Sequence, residues 1–129
     1  MDYHKSMKEY ARVKESFFLD NAFESCLINV DTSLGKKIKK INSNFFSFSS
    51  KQKNVDFFFD EKNVLHHDQK TYNLKNYSNS NFMQINLAMA LSLALISKIK
   101  INLKNVKNVL SPLGRFEKIE VIKGKYCVI

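Results

Sequence analysis

Few side chains in this sequence are placed to do chemistry, and the first of them sits in the wrong company. On a helical wheel at about 100° per residue, Tyr10, Ala11, Phe17 and Phe18 gather around Met7 as one apolar stripe. Lys14 falls in the middle of that stripe. A lysine there either snorkels its ammonium to the rim or is held as a neutral amine, because burial disfavours the charge. Asn86 interrupts the apolar run "INLAMALSLALI". Its amide could cap a helix or pair with a donor–acceptor edge. Arg115 of "GRFE" could bind an anionic oxygen or pair with Glu117 or Glu120. His66 and His67 are neighbours on a run that reads as a strand. They should point to opposite faces and make no metal site.

These residues need elements to hold them. Ser6-Met7-Lys8-Glu9 has the spacing of a capping box, which predicts a helix from about Met7 to Leu19. "SCLINVD" reads as a buried parallel strand, and "SLGKKIKKI" as a short basic helix or turn. Short aromatic and β-branched runs between residues 44 and 76 predict a small antiparallel sheet. Residues 77–81 read as a polar loop. Asn86 to Ser97 is apolar almost all round and reads as a central helix. A further helix is expected over Asn102 to Leu110, stopped by Ser-Pro-Leu-Gly. "RFEKIEVI" and "YCVI" read as a hairpin or two successive strands.

The bulk numbers bound the class. The sequence has 129 residues, 44% hydrophobic, enough for one modest core and no disordered chain. The net charge of +9 is carried almost wholly by lysine, with Arg12 and Arg115 as the only guanidiniums. Base and phosphate readout leans on arginine, so a nucleic-acid partner is not expected. Cys26 and Cys127 lie far apart in apolar segments, without metal spacing, and read as reduced, buried thiols. The N-terminus has no signal-peptide pattern. The longest apolar run is too short for a membrane span. A cytoplasmic protein is expected.

Four segments in order carry a family resemblance: "DYHKSMKEYARVK", "INVDTSLGKKI", "NSNFMQINLAMALSLAL" and "LSPLGRFEKIEVIKGKYCVI". They resemble the central domain of the Mur ligases, most of all the ligase adding the third residue, diaminopimelate or lysine, to UDP-N-acetylmuramoyl-L-alanyl-D-glutamate. The resemblance implies an α/β fold, with part of a nucleotide-binding sheet flanked by helices and a small antiparallel meander around residues 44–76. It implies ATP and Mg2+ as cofactors and an acyl-phosphate route to an amide bond in peptidoglycan precursor synthesis. By resemblance Lys14 is the lysine that is carbamylated and helps hold magnesium. A neutral amine can add carbon dioxide, and the carbamate oxygens are of the type magnesium prefers. Asn86 matches an adenine contact and Arg115 an ATP contact. Asp2 and His4 match the DYH signature, with no role assigned.

The departures set limits. No GxxxxGK(S/T) phosphate loop occurs in the sequence. Lys5, Thr32, Ser33, Ser80 and Met83 stand where the family pattern has glycine, aspartate, proline, glycine and asparagine. The expectation is that residues 1–129 form the second half of a Mur ligase central domain, truncated at both ends and inactive alone. Two origins are open, one half of a split ligase whose partner is a separately encoded N-terminal part, or the product of a decaying or truncated gene; the family's UDP-MurNAc-dipeptide is the substrate of the assembled enzyme. The competing expectation is a non-enzymatic basic module that binds nucleic acid or an acidic partner.

Overall fold

The computed structural model describes residues 7–20, 23, 25–75, 77, 80–106, 119–122 and 126–128. Three short strands, β1 (Leu27–Asn29), β2 (Phe46–Ser49) and β3 (Phe57–Phe59), run parallel in that order. Two more, β4 (Val64–His67) and β5 (Lys70–Asn73), continue the sheet antiparallel. Helices α1 (Met7–Asp20) and α2 (Ser33–Ile41) precede and follow β1, and α3 (Asn81–Ile96) follows the sheet. A short helix α4 (Leu103–Val106) and a separate hairpin of β6 (Ile119–Ile122) and β7 (Tyr126–Val128) complete the described elements.

Strand alternation explains why both faces are apolar beside β1. Leu27, Phe46, Phe48, Phe57, Phe59 and Leu65 point to one face, where Phe48, Phe57 and Leu65 are completely buried against Ala88 and Leu91 of α3. Cys26, Ile28 and Val30 point to the other, where they meet Ile38 of α2, Phe45 and Phe18 of α1. Burying each large side chain stabilises by roughly 1.5–3 kcal/mol, so the phenylalanine layer under α3 is the main apolar contribution. Farther along the sheet the second face has no helix over it among the described residues. Phe58, His66 and Thr71 line up there across β3, β4 and β5.

The turns follow from local chemistry. Asp68 and Gln69 both adopt positive φ, 45° and 62°, between the paired residues His67 and Lys70. That is the two-residue hairpin turn whose twist matches its strands. Asn63, at φ 62°, closes the β3–β4 turn and donates to the Asp60 carbonyl at 3.0 Å. At the start of α2, Thr32 caps the helix by accepting from the Gly35 N–H at 3.0 Å.

Several expectations need correcting. The segment 44–76 is not antiparallel throughout. β2 joins β3 in parallel through residues 50–56, a crossover made possible by the shortness of both strands. The antiparallel meander is β3–β5 alone. α3 begins at Asn81, inside the expected loop. It covers one sheet face and is not enclosed: Phe82 is 54% and Leu93 47% exposed. Of the helix expected over Asn102 to Leu110, Leu103–Val106 is helical and residues 107–110 lie outside the described residues. The Ser6 cap lies outside the described residues.

Gly35 offers a direct test of how α2 is seated. A Cβ there would lie 1.8 Å from the Asn29 carbonyl oxygen and 2.8 Å from its carbon. Both are backbone atoms of β1's last residue and cannot rotate away. Gly35→Ala should cost about 3 kcal/mol or more, at the upper end of overpacking penalties, read as a lowered urea midpoint with an unchanged slope.

Candidate functional site

In open α/β sheets ligands bind beyond the carboxyl ends of the parallel strands, so that edge is the place to look. It is held by carboxylates. Asp31, two residues past β1, accepts from the Ser50 N–H at 2.8 Å and the Ser50 hydroxyl at 2.9 Å, and from the Ser49 hydroxyl. Ser49 is completely buried; its oxygen in turn accepts from the Lys51 and Gln52 N–H groups at 2.9 and 3.0 Å. One carboxylate therefore ties the end of β1 to the end of β2 and shapes the loop that follows. Asp56 repeats the device at the loop's other end, accepting from the Ser47 N–H at 2.7 Å and hydroxyl at 2.6 Å.

Asp60, just past β3, accepts from the Lys62 and Val64 N–H groups, both at 2.9 Å, and lies 2.8 Å from His66 Nε2. His67 turns the other way and stacks on Phe57 with centroids 3.9 Å apart. The opposite-face expectation for the two histidines thus holds. Between Ser50 and Thr71 the open sheet face forms a shallow concavity of about 1070 Å³. Lys51, Lys53, Lys62 and Lys70 line it, and so do Asp56, Asp60, Glu61 and Asp68. The two signs balance, so the concavity is not a basic field.

Burial pushes the Asp31 carboxyl up, but hydrogen bonds from Ser49 and Ser50 and the charge of Lys51 outweigh it and leave it below the usual carboxylate range. The same holds for Asp56, through Ser47 and Lys39, and for Asp60, through His66 and the backbone N–H groups of Val64 and Lys62.

The sequence-predicted residues are not brought together here. Lys14 is exposed, contrary to its expected burial, and its ammonium lies 4.9 Å from the centroid of the Tyr10 ring one turn back. The stripe is only partly covered: Phe18 reaches the Ile28 cluster, Glu15 pairs with Lys37 of α2 at 2.7 Å, and Phe17 is 55% exposed. The desolvation that would favour a neutral amine at Lys14 is therefore not supplied by these residues. Asn86 is exposed on the outer side of α3. Arg115, Asp2 and His4 lie outside the described residues. Cys26 is a buried free thiol, raised by burial; the side chain of Cys127 is outside the described set. Sequence reasoning missed the serine–aspartate ties. The available signal was an aspartate directly after one buried strand and a Ser-Ser pair at the end of the next.

Neither implied cofactor finds a built site in these residues. No group of three or more histidine, cysteine, aspartate or glutamate side chains suited to a metal occurs among the described residues. The three well-held carboxylates already accept donors from the protein. An exposed asparagine can contact a purine edge, but it is one contact, and no phosphate cradle accompanies it among the described residues. Among the described residues no helix is long and apolar enough to cross a membrane.

Comparison with known proteins decides the family. The model for the Mur ligase middle domain matches residues 1–112. The chain belongs to the Mur ligase middle domain family. Its fold is similar to that in the structure of UDP-N-acetylmuramoyl-L-alanyl-D-glutamate–2,6-diaminopimelate ligase, with a TM-score of 0.76 and 20% identity over 93% of this chain. The match spans 28% of that ligase's chain. No curated protein sequence matches. The Mur domain assignment turns the carboxyl edge held by Asp31 into part of a middle-domain sheet.

The Asp31 tie carries a pH signature. A carboxyl depressed in the folded state contributes stability that is fully present above its unfolded value, about 3.9. That contribution is lost as pH falls through the lower folded value. Asp31, Asp56 and Asp60 act in the same direction, so unfolding free energy should fall steeply below about pH 4. Asp31→Asn should flatten part of that acid limb, and at pH 7 should cost about 1–3 kcal/mol, measured by urea titrations across pH.

Proposed function

We propose that this chain contributes part of the middle domain of an ATP-dependent acid–amino-acid ligase of peptidoglycan precursor synthesis, and that it has no ligase activity by itself. The observation that carries this reading is the Mur ligase middle domain match over residues 1–112, supported by the motif order in the sequence. The missing capacity is phosphate binding. Glycine-rich loops cradle phosphates through backbone N–H groups and a lysine, and the 129 residues hold no such loop. Protein outside these 129 residues would supply it, with ATP and a UDP-MurNAc-dipeptide as the ligands of the whole enzyme in the cytoplasm.

Within this reading Asn86 and Arg115 are the ATP contacts, and Lys14 takes up CO2 only once that further protein covers α1 and removes its ammonium from water. What this chain's own residues do is hold a sheet edge. Asp31 and Asp56 fix the loop after β2, and α3 supports the sheet from beneath.

Co-expression with a phosphate-loop polypeptide should give ATP-dependent ligation of an amino acid to the UDP-MurNAc-dipeptide, where either chain alone gives none. Lys14→Ala should lower the assembled rate roughly tenfold to hundredfold, and added bicarbonate should raise the rate of the unaltered enzyme but not of the variant. No ligation from the assembled pair would overturn the ligase reading. An unchanged rate in Lys14→Ala would remove Lys14 from the site. Steeply salt-sensitive binding of the chain to a nucleic-acid duplex would instead favour a basic binding module.

A further inference from the structure

We draw no further inference here: the strongest candidate, the shallow concavity on the open sheet face floored by Phe58, His66 and Thr71, carries nothing, because its lysines and carboxylates balance, Asp56 and Asp60 are already held by Ser47 and His66, and nothing in the structure shows what covers it.

Discussion

The structure depends on one carboxylate placed where two parallel strands end. β1 and β2 are three and four residues long, too short for their ladder alone to fix the loops beyond them. Asp31 does that by accepting from Ser49 and twice from Ser50. A charge-assisted hydrogen bond is stronger than a neutral one, and these run between strands instead of along one. Remove the carboxylate and the buried Ser49 hydroxyl loses its acceptor. The loop that crosses from β2 to β3 loses its first anchor. Asp56 holds the far end of that loop to Ser47 by the same chemistry. A parallel crossover of residues 50–56 without a helix is therefore secured by polar ties at both ends, where a longer one would rely on packing.

The apolar layers are arranged around this polar seam. Phe48 and Phe57 are partners across the parallel pair and are both completely buried. On the reverse side Ser47 and Ser49 take the positions that would otherwise carry core residues. The sheet is consequently apolar on both faces at β1, apolar on one face from β2 onward, and polar on the other. α1 and α2 stop where the serines begin. That asymmetry explains why the paired Phe58 and His66 meet solvent while Leu65, next to His66 but on the opposite face, is fully enclosed.

Much of this was legible in the residues. The buried strand at Leu27, the antiparallel end of the sheet, the long apolar helix and the separate hairpin all follow from period and composition. The parallel pairing of β2 with β3 did not. Strand period says which side chains share a face and nothing about direction, and residues 50–56 look like an ordinary connecting turn. Lys14 was misread for a related reason. A helical wheel reports which residues share a side of α1, whereas burial depends on what lies opposite. Only the Phe18 end of that stripe meets the Ile28 cluster. Lys14 instead lies over Tyr10. The chemistry assigned to it rested on motif order and on the desolvation argument, and the exposure of Lys14 among the described residues removes the second of these supports.

The same reasoning bears on α3. Its sequence is apolar on every side, yet only Gln84, Ala88, Leu91 and Ser92 are buried. A helix that needed to cover one sheet face and otherwise meet water would place charged residues at Phe82, Ala90 and Leu93, since exposed apolar positions in a row invite association. No acidic or basic residue occurs anywhere between Asn81 and Ile96. Asn86 lies on that same uncovered side, so the amide proposed to contact ATP faces away from the enclosed core. Asp31, which holds this sheet together, and Asn86 are thus on different surfaces. The described elements supply a scaffold, and its exposed apolar positions lie on the side of α3 turned away from the core.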